Sequence, residues 1–500
     1  MLHVNVTGTD FNSLDPAVNY DNDGAQLLYA TCAKLLNYRD SIAPSGSVPE
    51  PEVAAALPEG SADGRTYTFT IRPGFRFSNG DPVTSADFAY AINRVLDPRL
   101  HSPGQAFLED VVGARAVIDG RAKTARGVVV DGASLRISLT APAPDFLARI
   151  AMNFFCAVPA GSPVRAGGFD TLPSAGPYYV AARTVGSVTL KRNPYYGGTR
   201  PRHLDEIDFR GFAEGYQSTA EIERGQADYD VHGVPTSLNR DLALRYGVNR
   251  GRLFAHPTTS IQYLALNTSR PPFRDPSVRR AVAYALDRTA LRRAAGYLSG
   301  KVTDQILPPS LPGFHDAKLY PARPDLARAR ELMRGRRVRA LLDVSEGPDA
   351  MLAPIVADNL RAIGIDVRVK SVPFHLWAST VQRRSSSYDM VLAGWFVDYL
   401  DPYDFLNILL DGRTIAERNN QNLAHFDDPA YNRRLRAAAR LFGAARYAAY
   451  ARLDADLMRD AVPIVPFLNP YRVEFVSARV GCVVLAPAAG GLDYSAACLR

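Results

Sequence analysis

Hydrophobic and polar positions follow two different periods along the chain, and the change of period divides it. In the first half, strict alternation predicts half-buried strands such as Tyr67–Arg72 and Ile207–Arg210. In the second half, an apolar strand at Arg339–Val344 precedes an amphipathic helix at Met351–Ile363 and a further strand at Ile365–Val369. This strand–helix–strand order predicts a parallel pair joined by a helical crossover. The pattern therefore predicts an α/β fold.

Capping and turn residues predict the limits of several further elements. Thr84 or Ser85 is a favourable N-cap for a helix that runs to Leu96. An Asp-Gly pair at 131–132 predicts a hairpin. A helix is also predicted from Asp23 to Leu36, and two separate strands near the end, Ile464–Leu468 and Val473–Val476.

One stretch fits neither period. The apolar run Met390–Ala393 predicts a short buried strand, which opens into the aromatic and acidic segment Gly394–Leu406. Packing alone does not require three carboxylates, Asp398, Asp401 and Asp404, so close together. A strand end of this kind is typical of a recognition site. The alternative is a surface turn that starts a helix, and Asp398 fits that alternative least because it lies nearest the strand end.

Length and composition limit the class of protein. A chain of 500 residues is too long for one simple core and predicts two or three lobes. With 58 basic and 51 acidic residues, the net charge of +7 is small for this length, and the arginine pairs are scattered. No nucleic-acid partner is therefore predicted. No run of about 18 apolar residues occurs, so no membrane-spanning helix is predicted.

The first residues carry no basic segment followed by an apolar run, so no signal peptide is predicted in the printed sequence. The protein is then either cytoplasmic or a mature form with a replacement Met1. The four cysteines allow three full pairings, and none has metal-ligand spacing. Cys482 and Cys498 are close enough in sequence for a local disulfide in an oxidising compartment. Four buried thiols are the alternative, and the pairing of Cys32 with Cys156 stays open.

No motif of catalysis is present. The sequence lacks a Gly-x-Ser-x-Gly elbow, a His-Glu-x-x-His pair and a phosphate loop, and its eight histidines never fall at metal-ligand spacing. We therefore predict no enzyme activity, no metal and no cofactor. The chain is instead rich in aromatic residues, with 24 Tyr and 22 Phe, many beside turns and strand ends. Such residues suit a broad pocket with a few fixed charges.

Seven sequence blocks resemble, in order and spacing, those of one protein family. They are Ser13–Ala17, Tyr67–Phe88, Arg94–Pro98, Gly176–Tyr178, Leu190–Tyr196, Leu266–Asn267 and Pro272–Arg288. The chain resembles the extracytoplasmic solute-binding proteins of ABC importers, specifically the family 5 type that includes the oligopeptide- and dipeptide-binding proteins. The resemblance runs nearly from end to end.

The resemblance implies a two-lobed, periplasmic-binding-protein-like clamp of class II, cluster C, with an additional α+β domain inserted in lobe I. Lobe I would comprise 1–40, 163–253 and 466–500, the extra domain 41–162, and lobe II 254–465. The two chain crossings, near His256 and Asn469, would form the hinge. Closure of the lobes would bury the ligand, and the permease would recognise the closed form.

The same resemblance implies a monomeric binding protein that captures peptides between its lobes and delivers them to the transmembrane permease of an ABC importer. Its location would be extracytoplasmic, with a lipid anchor in the full-length precursor. No cofactor and no nucleic acid would take part.

Site residues follow from the resemblance by position. A peptide would lie extended and pair through its backbone as an added strand. One edge would come from Trp395, Phe396 and Val397, and the facing edge from Tyr20, Asp21 and Asn22. Asp398 matches the carboxylate that binds the peptide α-ammonium, since a buried ammonium needs a charged partner.

Two further positions, Phe374 and Arg383, match residues that line side-chain pockets, and Arg383 is also a candidate for the peptide carboxylate. One position departs from the family. Ala265 stands where relatives have an acid, so the pocket charges are not all retained and peptide-length preference is in doubt.

Three other interpretations compete with a peptide binder. The same fold could bind a metal chelate, haem or an oligosaccharide, although stacked tryptophans would favour sugar and the chain has only Trp377 and Trp395. A peptidase would need a nucleophile–base pair, which the sequence does not offer. A ligand-sensing domain of a cytoplasmic regulator would carry a DNA-binding helix pair ahead of residue 1.

Overall fold

The computed structural model describes residues 1–7, 13–169, 171–212 and 214–500. The chain forms two compact units, one of residues 1–256 and 473–500 and the other of residues 257–472. The chain passes between them after His256 and after Arg472. A separate domain at 41–162 stays a prediction.

The strands, in chain order, are β1 Leu2–Thr7, β2 Leu36–Tyr38, β3 Pro49–Pro51, β4 Glu59–Gly60, β5 Thr66–Thr70, β6 Val128–Asp131, β7 Ser134–Ser138, β8 Tyr178–Thr184, β9 Ser187–Arg192, β10 Glu206–Phe212, β11 Tyr229–Asp230, β12 Leu253–Pro257, β13 Ser260–Leu266, β14 Gly300–Val302, β15 Val338–Ser345, β16 Ile365–Val372, β17 Met390–Phe396, β18 Ile464–Phe475, β19 Val480–Gly481, β20 Leu485–Ala486, β21 Gly491–Leu492 and β22 Cys498–Leu499.

The α-helices are α1 Asn22–Thr31, α2 Ser85–Leu96, α3 Ala114–Ile118, α4 Phe146–Ile150, α5 Gly215–Arg224, α6 Asn239–Tyr246, α7 Pro271–Arg274, α8 Pro276–Ala285, α9 Arg288–Ala294, α10 Leu326–Met333, α11 Ala353–Arg361, α12 Trp377–Val381, α13 Tyr403–Leu410, α14 Pro429–Ala439 and α15 Gly443–Asp456. None of the helices among the described residues is long and apolar enough to cross a membrane.

The first unit is built on a mixed sheet in the order β11-β1-β10-β9-β8. β1 pairs in parallel with β10 and β11, whereas β8, β9 and β10 are antiparallel. Alternate residues of β1, Leu2, Val4 and Val6, enter the core. A second, antiparallel sheet in the order β4-β5-β7-β6 contains the predicted hairpin, β6 and β7.

A buried ion pair joins the N-terminal turn to α2 in this unit. The N-cap of the helix is Thr84, one of the two residues that the sequence predicted, and it forms a capping box with Asp87. Near its end, Arg94 donates two hydrogen bonds to the Asp15 carboxylate, at 2.7 and 2.5 Å. Neither side chain is exposed to solvent. The carboxylate also accepts from the Ala17 and Phe169 N–H groups, so it orders three segments of the chain.

Both cysteine pairs form disulfides, Cys482 with Cys498 and Cys32 with Cys156. The first is the local bridge that the sequence predicted. The second joins the end of α1 to residue 156, a pairing that the sequence left open. Two disulfides agree with an oxidising compartment.

The second unit is built on a sheet that contains the order β18-β13-β17-β15-β16, with β14 also paired to β18. β15 and β16 run parallel over eight residue pairs, joined by α11, which confirms the predicted crossover. β17 is parallel to β15 and antiparallel to β13. Its residues Met390, Val391 and Leu392 are at most 1% exposed, as expected of a strand covered on both faces.

Two predicted elements were wrong in extent. The helix expected from Asp23 to Leu36 ends at Thr31, and Leu36 begins β2. The apolar residues at 33, 35 and 36 are buried in a loop and in β2. Their spacing matched the apolar face of a helix, which is why the helix was predicted to extend over them. The two C-terminal strands form one strand, β18, that continues through Pro466 and Pro470. Both prolines still accept hydrogen bonds, from Arg288 and the Thr258 N–H.

Candidate functional site

The carboxyl ends of three parallel strands define one edge of the second unit's sheet. β15, β16 and β17 end at Ser345, Val372 and Phe396. Ligands of α/β sheets bind outside such an edge. Phe374 lies two residues beyond β16, and Asp398 lies two residues beyond β17. Since β15 lies between these strands, the axes of β16 and β17 are about 10 Å apart.

The last residues of β17 have an open side. Among the described residues, β15 pairs with β17 only at Met390 and Val391, so the strand continues past its neighbour. On the other side β13 stays paired as far as Phe396, and the Val397 N–H donates to the Thr259 carbonyl at 3.0 Å. The end of β17 is thus paired along one edge only.

Strand alternation decides which backbone groups face the open side. In an antiparallel pair, every second residue directs its N–H and C=O to the neighbour. Because Val397 bonds toward β13, Trp395 does so too. Gly394 and Phe396 direct their backbone groups to the open side. Of the three residues predicted to form a docking edge, Phe396 therefore directs its backbone groups to the open side, whereas Trp395 and Val397 bond toward β13. Gly394, which was not predicted, also faces the open side.

Side chains at this end of β17 present apolar surface beside charge. Phe396 is 64% exposed, Trp395 is half-buried, and Asp398 is partly buried. Phe396 thus adds exposed apolar surface beside the open strand edge and the carboxylate.

Asp404 forms hydrogen bonds that fix the positions of Trp395 and Asp398. One of its oxygens, Oδ2, accepts from the Trp395 indole N–H and from the Asp398 backbone N–H, each at 3.0 Å. Asp404 is fully buried, and burial followed by the nearby Asp398 carboxylate raises its pKa well above the ordinary value. No role for Asp404 was predicted from the sequence. The feature that could have indicated one is a carboxylate in the first turn of α13, directly before the apolar residues Phe405 and Leu406.

Asp401 has a structural role. Its Oδ1 accepts from the Tyr403 N–H at the start of α13, which confirms the predicted turn and helix. Arg446 of α15 donates to both of its oxygens, at 3.1 and 2.6 Å. Asp401 is 5% exposed and Arg446 2%, so the pair fixes α13 to α15. The three acids of the motif therefore occupy three different environments.

The first unit holds the other predicted edge, Tyr20–Asn22. Asp21 is the N-cap of α1: its carboxylate accepts from the Gly24 N–H, and its carbonyl accepts from the Ala25 N–H. Asn22 is the first residue of α1, so this part of the segment is helical. The Tyr20 ring is 55% exposed and contacts Phe154 and Phe107, with centroids 5.5 and 6.4 Å away. Tyr20 thus belongs to an aromatic cluster.

The two pocket residues lie in the segment between β16 and β17. Phe374 is 79% exposed and starts the turn that leads into α12. Arg383 is exposed and forms an isolated backbone bridge with Arg418. Ala265 lies inside β13, fully buried between Val391 and Ile464.

The described residues contain no group of three His, Cys, Asp or Glu side chains that could hold a metal ion. The candidate site instead combines an exposed aromatic ring, open backbone groups and a carboxylate. These groups can bind an extended chain by backbone hydrogen bonds and a cation by charge.

Residues 48–417 match the model of the bacterial extracellular solute-binding proteins, family 5 Middle. The chain belongs to this family. The match covers the second sheet of the first unit and most of the second unit, including the candidate site. It confirms the resemblance found in the sequence, and with it the expectation of a solute-binding protein of the family 5 type.

Relatives of the family 5 chain cover most of its length. The oligopeptide-binding protein OppA of Bacillus subtilis (strain 168) is 25% identical over 93% of this chain and 86% of its own. The solved structure of clavulanic acid biosynthesis oligopeptide binding protein 2 superimposes with a TM-score of 0.90 at 27% identity, covering 100% of this chain and 95% of the other. A probable deoxycholate-binding periplasmic protein, YgiS of Escherichia coli (strain K12), is 22% identical over 84% of this chain and 79% of its own.

Proposed function

We propose that this protein is an extracytoplasmic peptide-binding protein that delivers peptides to the permease of an ABC importer. The observation that carries the proposal is the open edge of β17 at Gly394 and Phe396, which ends beside Asp398. An extended peptide adds to such an edge by backbone hydrogen bonds, which recognise no particular side chain. The relatives named for oligopeptides support this ligand class.

In this proposal Asp398 binds the peptide α-ammonium. It lies two residues beyond the open edge, where the first residue of an added strand would place its charge. An ammonium removed from water needs a charged partner, and a carboxylate provides a strong, oriented hydrogen bond. Phe374, Phe396 and Trp395 then provide apolar surface for side chains.

Further properties belong to the same proposal. The protein would act outside the cytoplasm as a monomer, a lipid anchor would hold its precursor to the membrane, and no catalytic activity would be involved. The family is an extracellular one, and the two disulfides fit that location.

A second candidate ligand is a non-peptide anion or sterol-like solute. It is favoured by one observation, that a family relative carries the name of a deoxycholate-binding protein. The exposed aromatic rings would suit such a ligand, but the carboxylate of Asp398 beside the strand edge would repel an anion.

A blocked peptide tests the ammonium contact directly. We expect a free tripeptide to bind, and its N-acetylated counterpart to bind about 30-fold more weakly or worse, because an unpaired buried charge costs about 2 kcal/mol or more. Isothermal titration calorimetry of both peptides gives the ratio. A C-terminally amidated peptide is the matched control for loss of a terminal charge. Equal affinity of the free and acetylated peptides would contradict the proposal.

A further inference from the structure

Asp404 differs from the other acids of the β17 motif because only one of its two oxygens is bonded. Oδ2 accepts from two N–H groups, those of the Trp395 indole and the Asp398 backbone. Oδ1 is buried without a hydrogen-bond partner among the described residues. An ionised carboxylate shares its negative charge between both oxygens, so burying Oδ1 without a hydrogen-bond partner is unfavourable. A carboxylic acid can keep its proton on Oδ1 and accept both N–H bonds at Oδ2.

In the part of the chain that the structure describes, no cationic side chain bonds to Asp404. Its own segment provides Asp398 and Asp401, both acidic. The helix α15 contributes Arg446, whose guanidinium is bonded to Asp401 and to backbone carbonyls. It also contributes Tyr450, whose hydroxyl donates to Asn407. Burial, and next the Asp398 carboxylate, therefore raise the pKa of Asp404 well above the ordinary carboxyl value.

We propose that Asp404 is an uncharged positioning residue that fixes the Trp395 ring and the Asp398 backbone, so that the Asp398 carboxylate is presented to the ligand cation. This inference rests on the proposed function for its ligand, but the protonation of Asp404 does not depend on which ligand binds. The arrangement resembles other pairs of acids in which different environments separate one neutral and one ionised carboxyl.

The role gives Asp404 two separable consequences. Its Oδ2 orients the site, and an asparagine can keep that acceptor while alanine cannot. Its proton links folding to pH. Since the pKa is raised in the folded state, the folded protein holds a proton that the unfolded chain releases above about pH 4, so this residue's contribution to stability falls as pH rises toward the folded pKa. Asparagine removes that dependence.

The test compares Asp404→Asn and Asp404→Ala with the wild type in the full chain. We expect alanine to weaken tripeptide binding about tenfold or more, and asparagine to recover most of that loss. The melting temperature of Asp404→Asn should rise relative to wild type between pH 5 and pH 8. The infrared difference spectrum of wild type minus each variant at pH 7 should show a protonated carboxyl band, because other buried acids such as Asp454 contribute equally to both proteins. Asp366→Asn, an exposed acid on β16, is the control for binding.

The outcomes separate this inference from the proposed function. A wild type that binds no peptide overturns the peptide proposal, while the infrared band and the pH trend still decide the state of Asp404. A wild type without the band, or a melting difference that stays constant with pH, overturns an uncharged Asp404. If asparagine and alanine weaken binding equally, the positioning role of Oδ2 is wrong.

Discussion

Replacement of Asp398 by alanine is expected to weaken the binding of a free tripeptide by about 30-fold or more, because the α-ammonium would be left without its charged partner at a cost of about 2–5 kcal/mol. The side chain lies at the end of β17, beside the only backbone groups of that strand end that face its open side within the described residues. The Asp398 backbone N–H donates to Asp404 Oδ2, so the backbone that carries the Asp398 carboxylate is fixed in position. Calorimetric titration measures the change.

The control for this prediction is the acetylated peptide. Since it carries no ammonium, Asp398→Ala should change its affinity little, and the two losses should not add. Asp366→Ala, on the exposed face of β16, should leave both affinities unchanged. If Asp398→Ala weakened free and acetylated peptides by the same factor, its effect would come from altered structure and not from the ammonium contact.

The second large effect is expected on stability. Asp15→Ala should lower the free energy of unfolding by about 3–5 kcal/mol, because it leaves the Arg94 guanidinium buried without its counter-charge. Both side chains are inaccessible to solvent, and the carboxylate also holds the N–H groups of Ala17 and Phe169. Urea unfolding followed by circular dichroism measures the loss.

An exposed pair on the same helix end provides the comparison. Arg99 binds Asp97 but its side chain is 72% exposed, so Arg99→Ala should cause only a small loss of unfolding free energy, far below that of Asp15→Ala. A loss of that small size for Asp15→Ala as well would show that the buried pair contributes little to the first unit.

Much of the fold followed from local patterns. The parallel pair β15 and β16, the hairpin of β6 and β7 and the N-cap of α2 at Thr84 each depend on residues close in sequence, and all three are confirmed. The errors arose where tertiary contacts decide. The helix expected to reach Leu36 ends at Thr31, next to the cysteine that is bonded to Cys156. No local signal marks that partner, which lies 124 residues away in sequence.

In the candidate site, too, local features were predicted from the sequence and features that depend on tertiary contacts were not. Sequence position was enough to single out Asp398 and to predict that Asp401 starts a helix. It could not show that the Trp395 and Val397 backbones bond to β13, because strand register decides which groups face outward. Asp404 was missed because its importance lies in burial and in two bonds to residues six and nine positions earlier. Neither is visible in a pattern of residue types.

Native mass spectrometry of the protein as purified tests the central claim, that this family 5 chain binds peptides, most directly. Backbone pairing at Gly394 and Phe396 accepts many side-chain sequences, so the account predicts a series of bound masses that fit peptides of several compositions. Fragmentation of the released ligands should give peptide sequences, and Asp398→Ala protein should carry far fewer of them. A single bound mass that matches no peptide, retained equally by Asp398→Ala, would contradict the account.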